Sequence, residues 1–261
     1  MPALEPFSGG MASIPDPKAD HVLVTGVAGD IGSRLARHFT ERGHRVLGLD
    51  VAKEGPQNLR GNDRFHFVSV DLTNAAATTK AIDSFVDAHG AVRILVNNVG
   101  LIFNAPVLTL VDGKMVGHDA GSWDKVLAVT LSAAFYVTTA CVRHMAQAGG
   151  GVIINISSIS ANGNPGQSAY SAAKGGVNSM TVAQAKELGP MGIRVAAIAP
   201  GFIDTSSTQK AMGDEALKKL KRVIPLRRLG TVDELAHAAQ FIVENGYFTG
   251  TVLELDGGLS V

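Results

Sequence analysis

A tyrosine and a lysine four positions apart are the residues of this sequence whose types and spacing best suit proton transfer. Tyr170 and Lys174 lie in a run of small and apolar residues, SAYSAAKGGVNSMTVAQAKEL, which predicts a helix. Residues at this spacing share one face of a helix, one turn apart. Because a cation beside a phenol favours the phenolate, we expect the pKa of Tyr170 to fall below its usual value of about 10. The pair would then exchange a proton with an alcohol or a carbonyl near neutral pH.

Two hydroxyls precede this helix at the end of an apolar, β-branched run. The run VIINISS predicts a buried strand that ends in Ser157 and Ser158. We expect Ser158 to hold a substrate oxygen beside Tyr170, and Ser157 to face the core. A tyrosine and a lysine at this spacing also occur by chance on surface helices, so the rest of the chain has to distinguish the two interpretations.

Short apolar runs alternate with longer helical patterns from His21 onward. This alternation predicts an α/β fold with a single Rossmann-type, doubly wound parallel sheet and helices on both faces. We predict one catalytic domain over residues 20–261, preceded by a flexible extension over residues 1–19. Ligands of such sheets bind beyond the carboxyl ends of the strands. The candidate residues follow predicted strands: Gly26, Asp50, Asp71, Asn98, Ser158 and Pro200–Gly201.

A glycine-rich turn, TGVAGDIG at Thr25–Gly32, joins the first predicted strand to the first helix. Glycines let the backbone approach a pyrophosphate, and the N–H groups at a helix N-terminus attract its charge. Such a turn alone is weak support for nucleotide binding. Asp50 strengthens it, because a carboxylate about 20 residues further on accepts hydrogen bonds from the ribose hydroxyls of NAD and repels the 2′-phosphate of NADP. The sequence therefore favours NAD as the cofactor.

The composition of the chain argues against several classes of function. Its 23 basic and 23 acidic residues balance without a basic block, which disfavours nucleic-acid binding and attachment to an anionic membrane. No apolar run reaches the roughly 18 residues of a membrane-spanning helix. Cys141 is the only cysteine, as is typical of a core residue in a cytoplasmic protein. The eight histidines show no metal-ligand spacing, so we expect no metal site.

Taken together, these segments resemble the short-chain dehydrogenase/reductase family from about His21 to Val261. The motifs occur in the family's order and close to its spacings: TGVAGDIG, Asp71-Leu72, NNVG, Ser158, Tyr170-x-x-x-Lys174, PGFIDT and LDGG. The resemblance implies an NAD(P)-dependent oxidoreductase that acts on a small secondary alcohol or ketone and assembles as a homotetramer or a dimer. The chain is about equally similar to 3-oxoacyl-thioester reductases and to sugar-alcohol or hydroxysteroid dehydrogenases.

The resemblance also implies roles for individual residues. The catalytic residues would be Ser158, Tyr170 and Lys174, with Thr130 in the proton relay behind the lysine. The residues expected to bind the cofactor are Gly26, Asp30, Ile31 and Gly32 in the glycine turn, Asp50 and Val51 after the second strand, Asp71 and Leu72 beside the adenine, Asn98, Val99 and Gly100 beside its ribose, Tyr170 and Lys174 beside the nicotinamide ribose, and Pro200, Gly201, Ile203 and Thr205 near the nicotinamide.

Two positions depart from the family pattern. Asp30 occupies the place of the middle glycine, which comes one position early as Gly29. Its carboxylate would cap the helix, or would oppose the pyrophosphate unless it points away. Thr130, in WDKVLAVTLSAAF, occupies the place of an asparagine that is thought to hold a relay water. Its hydroxyl either serves that relay or simply packs in a helix, and both interpretations stay open.

The connection at residues 101–122 is longer than usual, and long loops at the ends of strands are more often functional than idle. We expect it to shape the substrate pocket, together with Phe202 and the amphipathic stretch STQKAMGDEALKKLKRVIPL. That stretch is a candidate mobile lid. Its lysines are expected to form a solvated face, although they would also suit an anionic acyl carrier.

The sequence is consistent with two functions. The first is an NAD-dependent enzyme, which is favoured by the presence of Ser158, Tyr170 and Lys174 together. The second is a non-catalytic NAD(H)-binding redox sensor or scaffold of the same fold, which is motivated by Thr130 and Asp30. The first is the better supported, because a chain without catalysis has no need to keep all three residues.

Overall fold

The computed structural model describes residues 21–259. Its main sheet has seven parallel strands in the order β3-β2-β1-β4-β7-β8-β9. These strands are β1 (His21–Thr25), β2 (Arg45–Asp50), β3 (Phe65–Ser69), β4 (Val92–Asn97), β7 (Gly151–Ile156), β8 (Ile193–Pro200) and β9 (Val252–Leu255). The order reverses between β1 and β4, which is the switch point of a doubly wound sheet. The predicted fold class is therefore confirmed.

Eight α-helices accompany the strands within these residues. They are α1 (Asp30–Glu41), α2 (Ala75–His89), α3 (Ala120–Leu127), α4 (Ala133–Gln147), α5 (Ser168–Leu188), α6 (Ser206–Ala211), α7 (Asp214–Val223) and α8 (Val232–Glu244). Helices α1 and α8 pack on one face of the sheet, and α2, α4 and α5 pack on the other. Central strands covered on both faces must be apolar throughout, which explains their continuous apolar sequences.

Buried amides tie the centre of the sheet to the helix that carries Tyr170. The Asn97 side chain, at the end of β4, donates to the Asn155 side chain on β7 (2.9 Å) and to the Thr138 hydroxyl on α4 (3.0 Å). The Asn155 amide in turn donates to the Thr181 hydroxyl on α5 (2.9 Å). All four side chains are buried, so these bonds form away from competing water. They fix α4 and α5 against the strands that carry the candidate site.

The helical run from Ala120 to Gln147 comprises α3, a π-helical turn at Ala128–Ser132 and α4. By length and apolar composition it is sufficient to cross a membrane, so the expectation that no apolar run reaches this length is wrong. Core helices of globular proteins pass the same test. Val137 and Cys141 of this run are fully buried in the core on one face of the sheet. The sequence predicted one helix from about Ser122 to Ala148, and the structure differs at the π turn, which inserts an extra residue.

Several segments differ from their predicted form or lie outside the described range. The extension predicted at residues 1–19 lies outside it, as do Asp20 and the last two residues of the predicted domain. The connection predicted as a long loop contains an antiparallel hairpin of β5 (Leu108–Val111) and β6 (Lys114–Gly117). The predicted amphipathic lid forms α6 and α7, and Leu217 of α7 packs with Phe202 in a small apolar cluster.

Candidate active site

The catalytic candidates meet where the carboxyl end of β7 faces the first turn of α5. Ser158 follows β7 by two residues and begins a short 3₁₀ turn, where its hydroxyl oxygen accepts a hydrogen bond from the Ser160 N–H (3.1 Å). Tyr170 is only 8% exposed, and the Ser158 hydroxyl lies near enough to its phenol to lower the pKa of that group. The neighbouring Ser157 is buried and donates to the Lys174 carbonyl oxygen, so it faces the core as predicted.

The pKa of Tyr170 moves in the direction opposite to the sequence expectation. Burial of the ring raises it to about 12, and the hydrogen bond with Ser158 offsets only part of this rise. The Lys174 ammonium lies 5.6 Å from the centre of the Tyr170 ring and donates instead to the Ile156 carbonyl oxygen (2.5 Å). The expectation of a lowered tyrosine pKa is therefore wrong. Tyr170 is held as a neutral phenol at pH 7, which makes it a proton donor.

Lys174 is buried directly behind the tyrosine. Its side chain is 2% exposed, and this burial lowers the pKa of its ammonium to about 8. An ammonium has three N–H donors, and the Ile156 carbonyl occupies one of them. Gly100 keeps the adjacent space open, because a Cβ there would lie 3.4 Å from the Lys174 nitrogen. The lysine therefore retains donors for a bound hydroxyl group.

Thr130 lies close to Lys174 but directs its hydroxyl elsewhere. The residue sits in the π turn and is 1% exposed. Its hydroxyl oxygen accepts a hydrogen bond from the Leu101 N–H (3.0 Å), while its methyl group borders the space beside Gly100. The hydroxyl thus fixes the chain as it leaves β4. This arrangement favours the packing interpretation of Thr130 over a role in the proton relay.

The glycine turn after β1 has the geometry that a pyrophosphate requires. Gly26 has a left-handed φ of 70°, and a side chain at Gly32 would overlap the Gly26 carbonyl oxygen. The Asn98 amide braces the turn by donating to the Thr25 carbonyl oxygen (2.9 Å). Gly29 caps α1 without a side-chain hydrogen bond, so the first N–H groups of this helix stay available to an anion.

Asp50 ends β2 directly beside this turn. One carboxylate oxygen accepts from the Ala28 N–H (2.9 Å) and the other accepts from the Ala52 N–H (3.0 Å). These two bonds fix the orientation of the carboxylate, and Val51 next to it is 75% exposed. Each carboxylate oxygen has a further lone pair for a ribose hydroxyl. The residues present therefore fit a nicotinamide dinucleotide.

The sequence suggested that Asp30 caps α1. The structure does not bear this out, because Asp30 is the first residue of that helix. Its carboxylate instead accepts hydrogen bonds from the N–H and the hydroxyl of Ser206 at the start of α6 (2.6 and 2.7 Å). The carboxylate is thus engaged by the first residue of α6. A cleft of about 480 Å³ lies between these elements and includes Arg34 and Thr205 in its walls.

The remaining residues predicted to bind the cofactor fall into two groups. Leu72, Ile203 and Thr205 are at most 8% exposed, so they pack within the protein, and Thr205 also caps α6. The second group consists of residues that are partly or fully exposed: Ile31, Asp71, Val99, Gly100 and Gly201. Pro200 is the buried last residue of β8. The Asp71 carboxylate is engaged by the N–H and hydroxyl of Thr73, which lower its pKa. Cofactor contact remains a prediction for all of these residues.

Gln167, which the sequence analysis missed, joins the connection between β7 and α5 to the connection that follows β4. Its side-chain oxygen accepts from the Ser160 hydroxyl and the Asn164 amide (2.9 Å each), and its amide nitrogen donates to the Asn104 side chain (2.7 Å). Gln167 is also the N-cap residue of α5, three positions before Tyr170. That position, directly before a predicted helix, was the one signal for it in the sequence. Among residues 21–259, no group of three or more His, Cys, Asp or Glu side chains could hold a metal ion.

Comparison with known protein families gives a match over nearly the whole chain. Residues 26–260 match a family model described as enoyl-(acyl carrier protein) reductase. A 3-oxoacyl-[acyl-carrier-protein] reductase of Chlamydia muridarum is 34% identical over 247 residues, which span 91% of this chain and 96% of that protein. An uncharacterized oxidoreductase of Schizosaccharomyces pombe is 36% identical over 91% of this chain and 90% of its own length.

A solved structure resembles the fold over a similar extent. The ligand-free aldohexose dehydrogenase of Thermoplasma acidophilum superimposes with a TM-score of 0.82 and 26% sequence identity. The superposition covers 94% of this chain and 95% of that structure. Sequence and structure comparisons therefore agree over the region that contains the catalytic candidates.

Proposed function

The chain belongs to the short-chain dehydrogenase/reductase family of oxidoreductases, and we propose that it transfers a hydride between NAD(H) and a secondary alcohol or ketone. The observation that carries this proposal is the environment of the Tyr170 phenol. It is buried, lies near the Ser158 hydroxyl, which lowers its pKa, and has the Lys174 ammonium over its ring. A proton donor, a second hydroxyl and a cation therefore converge on one point.

Each of the three residues has a distinct role in the reduction of a ketone. The Ser158 hydroxyl donates a hydrogen bond to the carbonyl oxygen and stabilises the negative charge that develops there. The Tyr170 hydroxyl donates the proton to that oxygen. The Lys174 ammonium stabilises the phenolate that remains on the tyrosine. The nicotinamide, when bound, supplies the hydride. In the oxidation of an alcohol each role is reversed.

The cofactor preference proposed here is NAD over NADP. The uncapped first turn of α1 would hold the pyrophosphate, and the Asp50 carboxylate would accept from the adenosine ribose hydroxyls. Lys174 would hold the nicotinamide ribose with its free N–H donors. Fluorescence titration with NADH and with NADPH tests this preference. We expect NADH to bind the tighter, and Asp50→Asn to narrow the difference; equal binding of both cofactors by the unmodified chain would contradict the proposal.

Tyr170→Phe tests the proposed chemistry. We expect turnover of a panel of ketones and secondary alcohols to fall by about 10² to 10⁴ while NADH still binds, because a positioned proton donor contributes that much. Tyr136→Phe, at a half-buried tyrosine of α4, is the matched control and should retain activity. Substantial turnover by Tyr170→Phe would overturn the assignment of Tyr170.

A non-catalytic NAD(H)-binding protein is the second candidate function. It is favoured by the Thr130 hydroxyl, which is engaged by the Leu101 N–H rather than directed at Lys174. The same panel distinguishes the two candidates. Tight NADH binding without turnover of any ketone or alcohol would favour the sensor or scaffold.

We further propose that the protein is a cytoplasmic homotetramer or dimer. Support for assembly comes from aromatic side chains on the outer side of α3 and α4, where Trp123 is 37% exposed and Phe135 is 48% exposed. The single cysteine, buried and without a disulfide partner, supports a reducing compartment. Sedimentation analysis and cell fractionation test the two parts of this proposal.

A further inference from the structure

Asp30 places a carboxylate at the start of the helix that would hold the pyrophosphate. It is the first residue of α1, where the backbone N–H groups have no partner within the helix. Three covalent bonds join its backbone nitrogen to its carboxylate carbon, so an anion held by the Asp30 N–H would lie within roughly 7 Å of that carboxylate in any rotamer. Two negative charges repel at this distance, because the Debye length in about 0.1 M salt is about 10 Å. Asp30 therefore opposes a dinucleotide unless its charge is compensated.

The two arginines of α1 do not supply that compensation. Arg34, one turn beyond Asp30, pairs with Asp233 and with Glu41 (3.5 Å). Arg37 also pairs with Glu41 (2.7 Å). Neither guanidinium pairs with Asp30 within residues 21–259, although all three residues line the same cleft. An ion pair with these arginines is therefore not what balances the carboxylate.

Ser206 supplies two hydrogen-bond donors instead. Its N–H (2.6 Å) and its hydroxyl (2.7 Å) both donate to the Oδ2 atom of Asp30. Hydrogen bonds to an ionised group are roughly twice as strong as those between neutral groups, so this pair of bonds fixes the rotamer of Asp30 and stabilises its charge. The two residues are 176 positions apart in the sequence, so the contact exists only because α6 lies against the start of α1.

The start of α6 leaves these donors available. Thr205 is the N-cap residue, with extended backbone (φ −131°, ψ 159°) and a side chain that accepts from the Thr208 N–H (3.2 Å). The N–H of Ser206, the first residue of the helix, has no partner within α6 and is free to serve Asp30. With six residues, α6 is too short to be stable by itself, so its position depends on such contacts.

We propose that Ser206 is a positioning residue for the dinucleotide, which holds the Asp30 carboxylate and compensates its charge so that the first turn of α1 accepts the pyrophosphate. This inference rests on the proposed function, which assigns the pyrophosphate to that turn. The contact also couples α6 to the cofactor. Movement of α6 away from α1 breaks both bonds and leaves the charge opposed to the pyrophosphate, and by reciprocity a bound dinucleotide stabilises α6 in the observed position.

Ser206→Pro removes both donors at once. Proline is favoured at the first position of a helix, and the extended backbone of Thr205 is the one that a residue before proline adopts, so we expect α6 to be retained. The Kd for NADH should rise about three- to tenfold at low salt, because the carboxylate is no longer compensated. Fluorescence titration measures this change. In about 1 M salt the loss should shrink, because the Debye length falls to about 3 Å.

Asp30→Asn separates the charge of the side chain from its size. Combined with Ser206→Pro, it should restore NADH affinity to about that of the unmodified chain, because the amide carries no charge. Asp30→Asn alone keeps an oxygen that accepts from Ser206, and it should bind NADH at least as tightly as the unmodified chain. Ser206→Ala, which keeps the N–H, repeats the comparison with a smaller disturbance of α6. Its loss should be smaller than that of Ser206→Pro, and Asp30→Asn should again relieve it.

Two controls and one independent readout accompany these titrations. Adenosine lacks the pyrophosphate, so its affinity, measured by calorimetry, should be the same in all variants. Asp214→Asn, at the first residue of α7, removes a carboxylate from the start of another helix and should leave NADH affinity unchanged. Hydrogen exchange requires no turnover. NADH should slow exchange at the backbone amides of α6 in the unmodified chain, and should do so less in Ser206→Pro.

Four results would overturn the inference: unchanged NADH affinity in Ser206→Pro, a loss that Asp30→Asn does not relieve, an equal loss of adenosine affinity, or exchange in α6 that NADH does not alter. Each of them leaves the proposed function standing, because the unmodified chain still binds NADH. If NADH binds but no ketone or alcohol is turned over, the proposed chemistry fails, and the titrations still decide the role of Ser206. If the unmodified chain binds neither NADH nor NADPH, both proposals fail.

Discussion

The catalytic turn from Ser158 to Lys174 and the hairpin from Leu108 to Gly117 are built in opposite ways. In the catalytic turn, Tyr170 and Lys174 are buried, and the serine, glutamine and lysine side chains are engaged by specific partners. In the hairpin, the strand residues are exposed and the apolar ones lack cover.

This difference has a consequence for how each region makes its contacts. Proton transfer needs atoms held within a fraction of an ångström, which requires side chains locked by packing and hydrogen bonds. Contacts of exposed apolar side chains depend on area rather than angle, because the hydrophobic effect is not directional. We therefore expect substitutions in the two regions to differ in the size of their effect and in the property that they change.

The largest effect is expected at Lys174. Lys174→Met should lower turnover about a hundredfold or more, because the charge that stabilises the phenolate is lost.

Burial lowers the pKa of Lys174 to about 8, so the unmodified enzyme loses this charge as the pH rises through about 8. Ketone reduction should therefore decline above that pH. Lys174→Arg, which stays charged, should remove this decline; a rate profile that is flat from about pH 7 to 10 in the unmodified enzyme would contradict the role.

The next effect is expected in the buried amide network behind the catalytic turn. Asn155→Ala should lower the free energy of unfolding by about 1 to 3 kcal/mol, because the amide of Asn97 and the hydroxyl of Thr181 lose a buried partner. Urea unfolding measures this change. Asn58→Ala, at an exposed asparagine, is the control and should stay within about 0.5 kcal/mol. Equal effects at the two positions would show that the network adds no stability.

A smaller effect is expected where the start of α1 meets the start of α6. Asp30→Ala should cost about 1 kcal/mol in thermal or urea unfolding, because the N–H and hydroxyl of Ser206 lose their acceptor at the start of α6. Asp214→Ala, at the first residue of α7, provides the comparison and should cost less. If Asp30→Ala stabilised the protein, the contact with Ser206 would be a source of strain instead.

The smallest effect on stability is expected in the hairpin. Leu110→Ser should change the free energy of unfolding by less than about 0.5 kcal/mol, because the side chain is already in water. The same substitution of a buried leucine such as Leu95 should cost several kcal/mol. A large loss at Leu110 would mean that another surface covers the hairpin, and the contrast between the two regions would disappear.

The sequence predicted the regular parts of the fold because strands and helices have recognisable patterns of apolar residues. The strands of the sheet are continuous apolar runs, and helices such as α2 and α5 have clear start and stop residues, so order and class were recognised. Ser158, Tyr170, Lys174 and Asp50 were found because their positions follow from the ends of these elements. The pairing of Asp30 with Ser206 was not foreseeable, because it joins residues far apart in sequence through two loops.

The misses have identifiable physical causes. The hairpin was read as a loop, although its Asp112-Gly113 turn between apolar residues is a hairpin signal and both residues have positive φ. The pKa of Tyr170 was assigned the wrong direction, because spacing on a helix predicts proximity to Lys174 but not the depth at which the ring is buried. Burial outweighs the nearby charge here.

The short-range pairing of the hairpin also bears on how its sequence can vary in evolution. Its strand pairs run only from Leu108–Gly117 to Val111–Lys114, so it closes locally and adds little to the contact order that governs folding rate. A segment with such short-range pairing can be lengthened, shortened or exchanged without altering the order of the seven parallel strands. The hairpin can therefore vary while the sheet and the residues at the ends of its strands stay as they are.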